Sequence, residues 1–343
     1  MMNFADYAGS FISKGEEFRT LFYQLEKKTT AHAYLITGEK GVGKKTLAKT
    51  MAAAFLCSAA DHRPCGCCRN CILTEKGEHP DLIILEQGKP IVAGIKKDRA
   101  SIPVEDVREM IRLCNVRSST ERNMRVVLIL DADKMTSQAQ NCLLKTLEEP
   151  PDDTCIILTT ESAQSILPTV VSRCRLFRIS AWNEEYVNKV LAETGVEEKR
   201  RKEAAFVSEG SIGRAIEIAA NDEFWNLRKE VMDCFFSATS RSDVISISNK
   251  WKDRKQDSNQ ILMILDSYVK MLAESRFGKS GKSEMDLFPT QWKKFSEKAP
   301  KEKFVKLTEA VCEARKQLQY SVNFQAVLEK IIFSFMGEGN SWL

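Results

Sequence analysis

Two groups of residues in this chain could do chemistry. The first is Gly38-Glu39-Lys40-Gly41-Val42-Gly43-Lys44, which has the glycine spacing and terminal lysine of a phosphate-cradling loop. In such a loop the backbone N–H groups and a helix N-terminus hold phosphates, and the lysine reaches the outer ones. A Gly-rich strand-to-helix turn without a ligand is the alternative. The next position normally carries the Ser or Thr that holds Mg²⁺; here it is Lys45, with Thr46 one place late. An ammonium cannot ligate Mg²⁺ and repels it. The partner element is Val126 to Leu130, an apolar run ending in Asp131, where the carboxylate would assist the metal. The Glu that would polarise an attacking water is replaced by Ala132, and Asp133 is expected on the opposite side of an extended backbone. Two altered positions together predict a nucleotide fold that hydrolyses poorly.

The second group is Cys57-x7-Cys65-x2-Cys68-x2-Cys71, with Cys67 as a spare. Tetrahedral Zn²⁺ takes four thiolates, and CxxC steps let one turn offer two of them. A redox CxxC pair or unliganded thiols remain the alternatives. A catalytic zinc would need an open position and usually a His; His62 lies inside the loop, but His32, His62 and His79 form no constellation. The other six of the eleven cysteines are scattered among apolar neighbours and read as small buried hydrophobes.

Strands and helices must position these groups. Ala33–Thr37, Leu82–Leu85, Val126–Leu130, Cys155–Thr159 and Leu176–Ile179 read as short apolar strands. Helical periodicity runs over Glu16–Lys28, Lys44–Leu56, Val104–Cys114 and Ser137–Leu147, the last stopped by Pro150-Pro151. Alternation of this kind predicts an α/β parallel sheet covered on both faces. After about Ser180 the strand signals stop. Trp182 to Ala220 reads as short helices broken near Gly210 and Gly213, and the rest is helical apart from a loop at Gly278 to Thr290. The expected domains are therefore 1–180, carrying the cysteine insert at 57–71, then 181–222 and 223–343.

Composition bounds the function. Hydrophobic content of 43% and charged content of 29% fit a globular chain. No apolar run approaches the roughly 20 residues a membrane helix needs. Met1-Met2-Asn3-Phe4-Ala5-Asp6 lacks a charged-then-apolar signal pattern, so a cytoplasmic location is expected. A net charge of +4 from 51 basic and 47 acidic residues does not point to nucleic acid. Lys96-Lys97 and Lys199-Arg200-Arg201-Lys202 read as solvated surface.

With those residues in place, the chain resembles the AAA+ subunits of bacterial DNA polymerase III clamp loaders. The resemblance rests on His32-Ala33-Tyr34-Leu35 before the loop, the four-cysteine insert, His79-Pro80-Asp81, and Ile102-Pro103-Val104-Glu105-Asp106-Val107-Arg108. Most specific are Leu143-Leu144-Lys145-Thr146-Leu147-Glu148-Glu149-Pro150-Pro151 and Ser172-Arg173-Cys174. It is dense from about 30 to 180, thinner across Gly210-Ser211-Ile212-Gly213-Arg214-Ala215 and faint near Asn323 to Ile332. It implies an AAA+ domain, a small helical lid and an all-α collar, in a five-subunit loader that places a ring-shaped sliding clamp on primed DNA. Its partners would be gamma/tau and delta subunits, with clamp and primer-template reached through the assembly and no membrane involved.

Within that family, Lys45, Ala132 and the length of the chain favour the delta-prime type, a non-hydrolysing member of the polymerase holoenzyme. An active gamma/tau-type ATPase is the alternative. The resemblance makes Arg173 an arginine finger for a neighbour's ATP, Thr159 (beside Thr160) the sensor-1 residue and Arg214 sensor 2, the last two vestigial here. The expected degenerate nucleotide site comprises Gly38, Gly41, Gly43, Lys44, Lys45, Thr46, Asp131, Thr159 and Arg214, and Cys57, Cys65, Cys68 and Cys71 are expected to hold structural zinc. Retained Gly43, Lys44 and Asp131 leave ATP binding open, while Mg²⁺ is not expected to assist it.

Overall fold

The apolar runs bounded by turn residues become five strands in a computed structural model that describes residues 3–27, 30–89, 91, 100–116, 124–235, 238, 240–277, 297, 299–320 and 322–336. They are β1 (Ala33–Thr37), β2 (Leu82–Glu86), β3 (Arg125–Leu130), β4 (Thr154–Thr160) and β5 (Arg175–Arg178). All pair in parallel, in the spatial order β2-β3-β4-β1-β5. β3 and β4 lie inside the sheet and are buried at every residue, as strands covered on both faces must be. The register sets Ile36 beside Thr159, Thr37 beside Thr160 and Glu86 beside Leu130. Three strand ends, those of β1, β2 and β3, therefore deliver the phosphate loop, Glu86 and Asp131 to one edge of the sheet.

The helices of this unit are α1 (Phe4–Ser13), α2 (Glu16–Lys27), α3 (Lys44–Leu56), α4 (Arg69–Lys76), α5 (Val104–Cys114), α6 (Ser137–Glu148), α7 (Pro168–Val171) and α8 (Glu184–Ala192). α6 starts where the Thr136 hydroxyl accepts the Ala139 N–H, and it ends two residues before Pro150. Between sheet and helices sits a core that includes Leu35, Val107, Val127, Ile129, Leu143, Leu147, Leu158 and Val170. α1 was not read from the sequence. Its signal is a capping box: Asn3 Oδ1 accepts the Asp6 N–H while Asp6 Oδ2 accepts the Asn3 N–H.

Two local expectations need correction. The chain after Asp131 is not extended. Asp131 itself has φ +57, and Ala132–Lys134 form a 3₁₀ turn. Asp133 consequently receives the Thr160 hydroxyl at 3.2 Å instead of pointing away. Gly213 does not break a helix. It lies inside α10 (Ile212–Ala220), and the break falls at Gly210, whose φ of +81 and close approach to the Trp182 carbonyl exclude a side chain.

Contacts divide the chain into two units, Met1–Gly195 with Glu209–Arg214, and Val196–Ser208 with Ala215–Leu343. The second is built, among the described residues, from α9 (Glu198–Val207), the rest of α10, α11 (Asp222–Phe235), α12 (Arg241–Trp251), α13 (Ser258–Phe277), α14 (Lys301–Gln319) and α15 (Phe324–Met336). Its core holds three apolar faces: Ile261, Leu262, Ile264, Leu265, Tyr268, Val269 and Leu272 of α13, then Phe304, Leu307 and Val311, then Val327, Ile331 and Ile332. A buried polar knot joins Glu203 to Arg228 and Tyr268. The run Lys96-Lys97 and the loop at 278–290 lie outside the described residues.

Candidate nucleotide and metal sites

Gly43, in a left-handed conformation with φ +101, turns the chain from the loop into α3. The loop is held from outside at three successive carbonyls. Lys40 O accepts from the Ser211 hydroxyl at 2.8 Å, Gly41 O from the Gly213 N–H at 2.9 Å, and Val42 O from Trp182 Nε1 at 2.9 Å. Gly41 is required for this approach: a Cβ there would stand 2.3 Å from Ser211 Oγ. Phe11 of α1 packs beside Gly43 and against Trp182, with ring centroids 5.6 Å apart. Gly38 is likewise pressed against the Ile179 carbonyl.

The two lysines at the start of α3 do different things. The Lys44 ammonium turns back into the loop and donates to Gly38 O at 2.8 Å and Glu39 O at 2.9 Å. Burial lowers its pKa, and the nearby carboxylates of Glu161, Asp131 and Asp133 oppose that shift. Lys45 Nζ lies 2.7 Å from Asp131 Oδ2 and 2.8 Å from Glu86 Oε1. Burial alone would lower its pKa, but the two carboxylates outweigh it and hold the ammonium charged. Glu86, despite its own burial, is held below the usual carboxylate range by Lys45 and Lys89. A lysine cation thus sits between the two carboxylates delivered by the ends of β2 and β3. Glu86 was not singled out from the sequence; the β2–β3 register brings it there.

The remaining members of the expected set are placed as follows. Thr159, fully buried, accepts the Asp131 N–H at 3.0 Å. Thr46 is half-buried in α3, and its carbonyl receives the Thr50 hydroxyl. Ala132 is buried. Arg214 gives its backbone N–H to Ser211 Oγ, and its guanidinium reaches Glu209 at 3.9 Å. Arg173 stands apart from this group. It follows α7, donates from Nη1 to Thr169 O at 2.8 Å and pairs through Nη2 with Glu148 at the end of α6. The half-buried Cys174 thiol beside it is pushed up to about 12 by desolvation, so it is neutral.

The four cysteines converge. The Sγ atoms of Cys57, Cys65, Cys68 and Cys71 all lie within 4.8 Å of one another, with Cys57–Cys68 at 3.9 Å and Cys65–Cys71 at 4.0 Å. A tetrahedron of Zn–S bonds of about 2.3 Å has edges of about 3.8 Å, so the donor set fits a metal ion. Cys57 closes α3, Cys68 caps α4 and Cys71 is in its first turn. Backbone N–H groups of Cys65, Cys68 and Cys71 point at Cys57, Cys65 and Cys68 sulfurs in turn. Burial opposes ionisation of Cys68, but hydrogen bonds from Ser58 and the Cys71 N–H outweigh it and bring the thiol down to about 6. Burial pushes Cys57 and Cys71 up. A bound cation would overcome that opposition, because coordination removes thiol protons outright. The exposed Cys67 sits 3.8 Å from Cys65 yet outside the four-sulfur group. Phe4 and Ala53 pack under the cluster.

Comparison with known proteins places this geometry in context. A family described as DNA polymerase III, delta subunit, matches residues 14–183, and one described as DNA polymerase III, delta subunit, C terminal, matches residues 222–336. DNA polymerase III subunit delta' of Bacillus subtilis (strain 168) is 29% identical over 320 residues, 92% of this chain and 93% of its own length. The subunit delta' of Escherichia coli (strain K12) is 30% identical over 233 residues, 67% of each chain. The E. coli subunit tau is 35% identical over 162 residues, which are 47% of this chain and 23% of its own. A solved structure of a DNA polymerase III gamma-subunit-related protein from Thermotoga maritima aligns with a TM-score of 0.43 at 16% identity, covering 93% of this chain and 98% of that one.

Proposed function

Because the chain belongs to the DNA polymerase III delta' subunit family, we propose that it acts in a clamp loader as a member whose own nucleotide site does not hydrolyse ATP. The observation that carries this reading is the Lys45 ammonium bridging Asp131 and Glu86. It satisfies both carboxylates electrostatically and leaves no seat for Mg²⁺. Ala132 supplies no carboxylate to polarise water. Nucleotide, where it binds, does so weakly and without metal, with the loop backbone as its main contact and Thr159 and Arg214 as vestigial sensors. Arg173 serves a neighbouring subunit's ATP. Its planar fork is suited to charge developing on a γ-phosphate, and exposure on the α7 side keeps it accessible.

The partners in this reading are tau/gamma-type and delta subunits in a hetero-pentamer, with sliding clamp and primer-template DNA met through the assembly. The metal is zinc, and its role is structural, since four thiolates close the coordination sphere. The three-part division at about 180 and 222 is proposed on the end of the strands at Arg178 and the helices beyond Asp222, while contacts divide residues 181–222 between two units. A cytoplasmic location is proposed from the kinship with replication proteins. No helix among the described residues is long and apolar enough to cross a membrane.

Purified alone, the chain is expected to show no ATP turnover above background. Combined with tau/gamma and delta subunits it is expected to complete a loader that places clamps on primed DNA. Turnover in an assembly with no other competent ATPase site, lost on Lys44→Ala, would instead establish the gamma/tau-type reading. A pull-down that failed to return those partner subunits would reject the clamp-loader assignment altogether.

A gain-of-function variant tests the ammonium directly. Lys45→Thr places a hydroxyl in the first helical turn, leaves Asp131 without the Lys45 ammonium and leaves Glu86 paired with Lys89 alone. Mg²⁺ is expected to tighten nucleotide binding to this variant by about tenfold, or about 1.4 kcal/mol, while leaving wild-type affinity unchanged. Calorimetric titration with and without Mg²⁺ reads both. Equal metal dependence in the two proteins would remove Lys45 from the explanation.

A further inference from the structure

Glu148 has no evident reason to be charged for the sake of its own helix. It is the last residue of α6, where the partial negative charge of the exposed carbonyls disfavours a carboxylate. Its Oε1 accepts from Arg173 Nη2, and Arg173 Nη1 donates to Thr169 O at 2.8 Å and to Ser172 Oγ at 3.4 Å. The guanidinium is therefore held at both terminal nitrogens. Its Nε–H and second Nη2–H remain available for an anion, since the group carries more N–H donors than these acceptors use.

The frame behind the pair is a buried apolar cluster. Leu143 and Leu147 of α6 and Val170 of α7 are buried in one cluster, with Leu144, Val171 and Cys174 packed against it. That core, not the ion pair, joins α6 to α7. Both charged side chains are substantially exposed, 50% for Glu148 and 33% for Arg173, so the pair adds little to stability. Its consequence is geometric. An unrestrained arginine must give up rotamer freedom on meeting a phosphate, whereas one already fixed gives up less.

We propose that Glu148 is a positioning residue for Arg173, orienting the guanidinium toward a neighbouring subunit's triphosphate before that neighbour's nucleotide engages it. This rests on the reading of Arg173 as a trans-acting finger. Glu148 touches no substrate; it acts through Arg173 alone.

The experiment uses the complete loader assembled with tau/gamma and delta subunits, clamp and primed DNA, and measures hydrolysis at the site that Arg173 serves, isolated by single-turnover measurements, against ATP concentration. Glu148→Ala is expected to lower kcat by about fivefold with KM unchanged, as removal of a contribution to the transition state requires. Glu148→Gln, which keeps the accepting oxygen, is expected to restore turnover to within about twofold of wild type. In an Arg173→Ala background, Glu148→Ala is expected to do nothing further. Thermal melting of the isolated Glu148→Ala chain, expected to match wild type, separates positioning from folding. Wild-type or faster turnover in Glu148→Ala, a loss carried by KM, or a glutamine variant as impaired as the alanine one would each overturn the proposal. If Arg173→Ala itself leaves turnover unchanged, the finger reading fails and the positioning role falls with it. If Arg173→Ala is slow and Glu148→Ala is not, only the positioning role is rejected.

Discussion

Replacing Cys68 with serine is expected to remove bound metal and to unfold the segment between α3 and α4 without abolishing the parallel sheet. Cys68 is the N-cap of α4, its sulfur receives the Cys71 N–H, and it lies 3.9 Å from Cys57, the residue that closes α3. One thiolate therefore ties two helices and the loop between them. Apparent zinc affinities of isolated four-ligand modules amount to about 10–16 kcal/mol at neutral pH. Here Phe4 and Ala53 pack beneath the cluster, so part of the geometry is set by apolar contacts and the loss is smaller, about 3–5 kcal/mol. Metal analysis of reduced, unchelated protein is expected to give close to one equivalent for wild type and for Cys67→Ser, and less than about half for Cys68→Ser. Thermal melting is expected to fall only in the last. A full equivalent retained by Cys68→Ser, or none in wild type, would contradict the four-thiolate site.

The four-cysteine cluster was legible because its members are close in sequence. Spacing alone brings Cys65, Cys68 and Cys71 to one knuckle, and Cys57 joins them because α3 ends there. The strands were legible for a similar reason: a run such as Val126 to Leu130, buried on both faces, has no polar residue to confuse its reading. What stayed hidden was set by register. Lys45 and Glu86 are 41 residues apart, and nothing in either segment announces the other. They meet because Glu86 ends a strand paired beside Leu130, one residue before Asp131. The misreading of Asp133 came from carrying strand alternation past the strand's end, where Asp131 takes a left-handed turn. Gly213 misled in another way. Glycine inside a helix usually signals a break, but here the missing side chain lets α10 approach Gly41, where a Cβ would stand 2.9 Å from its Cα. The clamping of the loop carbonyls by Ser211, Gly213 and Trp182 is equally non-local.

Replacing Arg173 with alanine is expected to have the largest effect on the assembled enzyme and almost none on this chain alone. The isolated chain loses one half-exposed ion pair with Glu148, worth about 0–1 kcal/mol, and a hydrogen bond to Thr169 O, so it should fold and assemble normally. In the proposed assembly, the neighbour's triphosphate would lose a cation aimed at charge that develops during transfer. Trans-acting arginines of this kind are worth about 10³-fold or more at the site they serve. A loader with further ATPase sites retains their turnover, so total hydrolysis falls less than clamp placement, which requires the sites to act in concert. Clamp loading is accordingly expected to slow by at least about tenfold, with hydrolysis at the dependent site falling by about 10³ when single-turnover measurements isolate it. Arg173→Lys should recover little of either. Lysine keeps the charge, but it cannot donate to Thr169 O, Glu148 and a phosphate from one plane, and its compact ammonium would pair with Glu148 alone. A wild-type rate of clamp loading by an Arg173→Ala assembly would leave the arginine as a partner for Glu148 and nothing more. A lysine variant as fast as wild type would show that charge alone, without the planar fork, accounts for the effect.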